Sequence, residues 1–162
     1  MEIRKARKED LDRVLEIYAY ARAFMTQNGN PAQWGDSYPK AELLISDIEK
    51  GQLYVIEEQR QIYGVFAFII GEDPTYAVIE DGTWPDQSPY GTIHRMAGDG
   101  KARGLLQLCV EYCREQIDTL RIDTYHDNHI MQGAIEKSGF RRCGIIYTAD
   151  GSPRIAYQSC KA

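Results

Sequence analysis

No run of eighteen apolar residues occurs in the 162-residue chain, so no segment has the length that an apolar helix needs to span a bilayer. No secretory signal is expected: MEIRKARKEDLDRVLEIY interleaves charges with apolar residues where such a signal carries an unbroken apolar block. Charge of one sign never accumulates. The 19 Lys and Arg and 24 Asp and Glu leave a net charge of −5 without a long block of either sign, which argues against nucleic acid and membrane surfaces as partners. Cysteine is sparse. Cys109 and Cys113 fall one helical turn apart, Cys143 lies in a strand-like segment and Cys160 near the end, a distribution that reads as reduced thiols in a cytoplasmic protein. Neither the cysteines nor His94, His126 and His129 reproduce a zinc-ligand spacing such as paired C-x-x-C, so no metal is expected. Repeats, low-complexity tracts and Pro/Ser-rich linkers are absent, and residues 1–162 read as a single domain.

What the chain does have is period. Apolar residues make up 43% of it, and a domain of this length buries roughly two thirds of its unfolded surface. Met1 to Ala6 is a strand candidate. Leu11, Val14, Leu15, Tyr18, Ala21 and Met25 follow a helical period that ends near Asn28-Gly29. Thr26 to Pro39 has turn chemistry yet carries Trp34 and Tyr38; a short helix on Ala41, Leu44, Ile45 and Ile48 follows, with Gly51 as its stop. Leu53–Glu58, Ile62–Ile70 and Thr75–Glu80 read as an antiparallel meander. A strand over Thr92–Ala97, a helix on Leu105, Leu108, Cys109 and Tyr112, and a strand over Leu120–Tyr125 come next. Asp127-Asn128 opens a last helix that Gly139 closes, and a hairpin about ADGSP ends the chain. The order β-α-α-β-β-β-β-α-β-α-β-β implies a mixed sheet with helices on its faces.

The stretch RMAGDGKARGLLQL, Arg95 to Leu108, is the most informative. It is not a dinucleotide fingerprint, because Arg103 occupies the third glycine position after Gly98 and Gly100, and it fails as a P-loop on the same residue. What remains is a strand, a loop and a helix whose first turn leaves amide N–H groups unpaired at the positive end of its dipole. A pyrophosphate fits such a place, with Gly104 allowing close approach and Lys101 and Arg103 adding cationic donors. A tight turn with a solvated basic pair fits the spacing as well.

The K-A-R-G-L-L run and the later D-N-H-I-M-Q-G-A-I-E-K-S-G-F resemble the GNAT superfamily of N-acetyltransferases, whose pyrophosphate loop follows Q/R-x-x-G-x-G/A. The element order agrees along nearly the whole chain, and Thr92 to Tyr147 is the specific part. Lys101 stands at the Gln/Arg position, Gly104 fits, and Leu106 replaces the small last residue. The resemblance implies a GNAT-like acyl-CoA N-acyltransferase fold of the α/β (α+β) class: a mixed, mainly antiparallel central sheet of about seven strands flanked by about four helices. It implies acetyl-CoA as the acyl-donor cosubstrate, its pantetheine arm laid along Arg95, Met96, Ala97 and Gly98 between splayed strands. Lys101, Ala102, Arg103, Gly104, Leu105 and Leu106 then surround the pyrophosphate, with Asn128 and Met131 at the next helix. The family's frequent thiolate-protonating tyrosine falls at Ile135, which leaves that proton to another group or to water.

For acetyl transfer to a primary amine of a small molecule or a peptide N-terminus, a main-chain N–H of Met96 or Ala97 is the expected oxyanion donor. Glu80 is the first candidate base and His94 the second, His94 being expected to share a strand face with Met96. Trp34, Tyr38, Trp84 and Tyr125 are candidates for lining the acceptor pocket; the alternatives are loop anchors or a homodimer contact. Asp123 could reach the same cleft or pair with Arg121 or Arg142. No cysteine has an evident basic partner, so direct transfer in a ternary complex is expected. The competing reading, favoured by Ile135 and Leu106, is a non-catalytic acyl-CoA-binding or interaction module.

Overall fold

The computed structural model describes residues 1–160, the side chain of Cys160 excepted, so the expectation of a reduced thiol there lies outside the described residues. The strands are β1 (Glu2–Lys5), β2 (Leu53–Glu58), β3 (Gln61–Ile70), β4 (Gly91–Gly98), β5 (Thr119–Thr124), β6 (Arg141–Tyr147) and β7 (Pro153–Cys160). The helices are α1 (Leu11–Gln27), α2 (Ala41–Glu49), α3 (Leu105–Arg114) and α4 (His129–Lys137). One sheet holds all seven strands in the order β1-β2-β3-β4-β5-β7-β6, antiparallel except for β4 and β5. No helix among the described residues is long and apolar enough to cross a membrane.

Strand alternation divides the core between the two faces of the sheet. Tyr54 and Ile56 of β2 and Phe66 and Phe68 of β3 pack with Cys109, Val110 and Cys113 of α3 and Ile135 of α4. Their neighbours Leu53, Val55, Val65 and Ala67 pack with Val14, Ile17 and Tyr18 of α1 and Leu44 of α2. Cys109 and Cys113 are free, buried thiols one turn apart. The β2–β3 turn places Gln59 and Arg60 at φ 50° and 66°, the pair of positive values a tight two-residue hairpin needs.

The segment expected as a strand over Thr75–Glu80 is instead a 3-10 turn, Pro74–Tyr76, followed by extended chain, and only Glu80 pairs, with Ile145 of β6. The reason is local. Asp73 accepts the Thr75 amide at 2.9 Å with Pro74 in the first helical position, an N-cap arrangement that outcompetes the weak alternation of TYAVIE.

Strand β4 carries the second departure. Val65 faces Ala97 but Ala67 faces His94, so Phe66 stands opposite the two residues Arg95 and Met96. Arg95 has φ 52°, an unusual conformation for a side-chain-bearing residue and one that marks a bulge. The extra residue shifts the alternation. Ile93 and Met96 share the α3 face, while Ala97 joins the α1 core. His94 therefore points to the opposite face from Met96, which corrects the expectation that they share one.

Candidate active site

Parallel pairing between β4 and β5 extends over only Gly91↔Leu120 and Thr92↔Arg121. Beyond Thr92 the strands part, which is the splaying that the family resemblance implies, and two clefts occupy the opening.

The first cleft, about 260 Å³ and mainly apolar, runs from Met96, Ala97 and Gly98 to the start of α4 at Asn128, Ile130 and Met131, with Tyr20 and Phe24 of α1 along its outer side. Ala102 and Leu106 lie at its α3 end. Helix α3 starts at Gly104, whose φ is 72°, and no side chain caps it. The Leu108 amide closes the first helical bond on the Gly104 carbonyl at 3.1 Å, which leaves the amides of Leu105, Leu106 and Gln107 outside the ladder. A side chain added at Gly104 would meet nothing within 4 Å. The helix mouth is thus unobstructed. The loop before it is anchored by Asp99, which accepts the Lys101 amide at 3.0 Å and pairs with Arg13 at 2.6 Å. At Gly100, where φ is 78°, a Cβ would lie 2.1 Å from the Tyr20 hydroxyl, so a side chain there would strain the backbone and displace the Tyr20 ring.

The second cleft, about 620 Å³, is the more polar of the two and includes Trp34, Tyr38, Asp73, His94, Asp123 and Arg154. His94 Nε2 lies 3.0 Å from Asp73 Oδ2. Burial pulls the Asp73 carboxyl upward, but the hydrogen bonds from His94 and Thr75 outweigh it and hold the group at about 2. The Tyr76 hydroxyl donates to Asp123 Oδ2 at 2.6 Å. Burial raises the Asp123 carboxyl above its ordinary range against the opposing Tyr76 hydrogen bond.

Several expected residues take other places. Glu80 lines neither cleft; its carboxylate accepts the Tyr147 hydroxyl at 3.0 Å. Trp84 donates to the Tyr76 carbonyl at 2.8 Å and stacks on Arg121, 3.8 Å from the guanidinium, so it braces the loop from behind the polar cleft. Tyr125 lies under Arg154, 5.0 Å from its guanidinium, outside both linings. Leu105 turns its side chain into the core, where a Cβ on Gly98 would come within 2.7 Å of it; its main-chain amide alone is left for the mouth. Arg95 lines the polar cleft rather than the apolar one, and its carbonyl accepts the Tyr18 hydroxyl at 2.7 Å. Lys101 and Arg103 are exposed at the mouth. Ile135 is fully buried and faces no cleft.

The structure adds residues that pattern reading passed over: Asp73, Gln33 and Arg154 in the polar cleft, and Tyr20 and Phe24 along the apolar one. The run Asp73-Pro74-Thr75 is a legible cap signal that locates Asp73 at a turn. Nothing local announces the others.

Comparison with known proteins agrees with this geometry. The chain is 30% identical to an acetyltransferase of the GNAT family from Streptococcus agalactiae 2603, with a TM-score of 0.90 and coverage of 99% of this chain and 95% of that one. The fold also matches the ribosomal-protein-alanine N-acetyltransferase of Brucella melitensis, at 19% identity and TM-score 0.62, with 99% of each chain covered. A third match is Salmonella typhimurium yncA, solved with its cofactor acetyl-CoA, at 16% identity and TM-score 0.62, covering 99% of this chain and 94% of that one. No family model and no curated protein sequence matches the chain. The protein belongs to the GNAT family of acetyltransferases.

Proposed function

We propose that the protein transfers the acetyl group of acetyl-CoA directly to a primary amine, carried by a small molecule or a peptide N-terminus, in a ternary complex in the cytoplasm. The observation that supports this reading most is the parting of β4 from β5 beside an uncapped α3, with the apolar cleft leading from that helix mouth. The apolar cleft suits the pantetheine arm, and the free first-turn amides with exposed Lys101 and Arg103 suit the pyrophosphate. When bound, acetyl-CoA supplies an activated acyl carbon and a thiolate leaving group.

The polar cleft supplies the rest. Its carboxylates Asp73, Asp123 and Asp150 stand with Arg154, and with an Arg95 already paired to Asp47, a balance that favours a cationic amine. With its Nε2–H directed to Asp73, His94 keeps its lone pair on Nδ1 and takes the proton of the attacking amine there. The amine nitrogen would bond the acyl carbon as the carbon–sulfur bond breaks, and the proton taken by His94 would pass through water to the thiolate. Glu80, outside the cleft, is left without this role.

Thiol release from acetyl-CoA is the test, followed across a panel of amines after CoA binding has been established by calorimetry. Saturable release with at least one amine is expected. Tight acetyl-CoA binding without thiol release for any amine would assign the protein to a binding module instead.

A further inference from the structure

The wall between the two clefts contains one side chain whose orientation is imposed from several directions. Gln33 Oε1 accepts from Asn30 Nδ2 at 2.9 Å, from Asn128 Nδ2 at 3.0 Å and from Thr124 Oγ1 at 3.4 Å. Asn128 cannot turn over, because its Oδ1 caps α4 by accepting the Met131 amide at 3.1 Å. Its NH2 group must therefore face Gln33, and Gln33 must answer with oxygen. The Gln33 main-chain carbonyl is held in turn by Arg154 at 3.2 Å. The Nε2 end of Gln33 is thereby directed away from Asn30 and Asn128 and has no hydrogen-bond acceptor among the described residues.

Position gives this free donor a meaning. Asn30 and Asn128 line the apolar cleft, whereas Gln33 lines the polar one. On β4 the same boundary falls between Arg95 and Met96. An acyl group that extends from the apolar cleft to within reach of His94 must cross this wall, and its carbonyl oxygen is the hydrogen-bond acceptor that it brings there.

Resting on the acetyl-CoA reading above, we propose that Gln33 donates from Nε2 to the carbonyl oxygen of the bound thioester, alongside the main-chain amides of β4. As the amine adds to the acyl carbon, negative charge grows on that oxygen and the preset donor meets it without reorganising. Gln33 is then a determinant of acyl recognition as well as of rate.

Gln33→Glu separates this role from a structural one, because a carboxylate still accepts from Asn30, Asn128 and Thr124 but donates nothing. Calorimetry with CoA and with acetyl-CoA needs no knowledge of the amine. The wild type is expected to prefer acetyl-CoA by roughly fivefold, the effect of about one hydrogen bond. In Gln33→Glu the preference should vanish, while melting temperature stays close to that of the wild type. Gln33→Met, which introduces no charge, should lose the preference too. The carbonyl resonance of 13C-labelled acetyl-CoA should move upfield in both variants relative to the wild-type complex. A preference or a resonance that stays put in both variants, or a wild type that binds the two ligands equally, overturns the assignment of Gln33. Failure of the wild type to bind CoA at all overturns the cofactor site itself.

Discussion

Arg95, held at φ 52° in the β4 bulge, places its guanidinium 2.5 Å from the carboxylate of Asp47 on α2, a side chain that is 3% exposed. Tyr38 lies on the same guanidinium at 3.5 Å, and Gln52 donates to the other Asp47 oxygen at 2.8 Å. The pair ties the bulge, which sends His94 and Met96 into different clefts, to the helix that follows the aromatic loop.

Asp47→Ala should therefore be severely destabilising, by about 3 to 5 kcal/mol, because it strands a buried guanidinium without its counter-ion. Urea unfolding measures this directly. Asp47→Asn, which retains a hydrogen-bond acceptor, should lose less.

Gly104→Asp should weaken CoA binding by at least tenfold, since it puts negative charge where the helix mouth offers amides and positive dipole. Gly104→Ala is the control. It carries the left-handed strain of roughly 1 to 2 kcal/mol without the charge, so it should destabilise the fold while affecting CoA affinity far less. Equal affinity of wild type and Gly104→Asp in calorimetry would place the pyrophosphate elsewhere.

His94→Gln should lower kcat on any accepted amine by about a hundredfold, the usual scale of a lost general base, with KM for acetyl-CoA nearly unchanged. Asp73→Asn should lower kcat less, because it only stops orienting the imidazole. Glu80→Gln should leave turnover within about twofold, since charge outside the cleft contributes little at this range. A steady-state comparison of the three variants ranks them, and a larger loss for Glu80→Gln than for His94→Gln would reverse the assignment.

The Asp73 carboxyl also predicts an acid limb of stability. Its folded value of about 2 lies below the ordinary 3.8, so the ionised form is favoured by folding. That contribution is complete above 3.8 and is lost as pH falls toward about 2. Urea midpoints of the wild type and Asp73→Asn should converge over this interval; a constant gap from neutral pH to pH 2 would contradict it.

The helices and most strands were legible because their causes are local. The apolar period of α1, the Asn128 cap, the Gly139 stop at φ 93° and the ADGSP hairpin all act within a few residues. Thr75–Glu80 departs from its strand pattern because the weak alternation yields to the N-cap that Asp73 and Pro74 form. The Gly104 loop was legible in part, since an unpaired helix start follows from chain geometry.

The clefts are different in kind. Asp73 and His94 are 21 residues apart in sequence and meet only because β3 and β4 pair antiparallel around the intervening loop. Gln33 reaches Asn128 across 95 positions, and Glu80 bridges Ile145 through a pairing that no short window contains. Sequence by itself determined most of the elements, their order and the glycine at the helix mouth, since each depends on backbone propensity and short-range capping. Tertiary structure alone decided which side chains share a cleft, because one bulged residue at Arg95 exchanges the faces of everything after it, and such an insertion arises from the pairing of two strands.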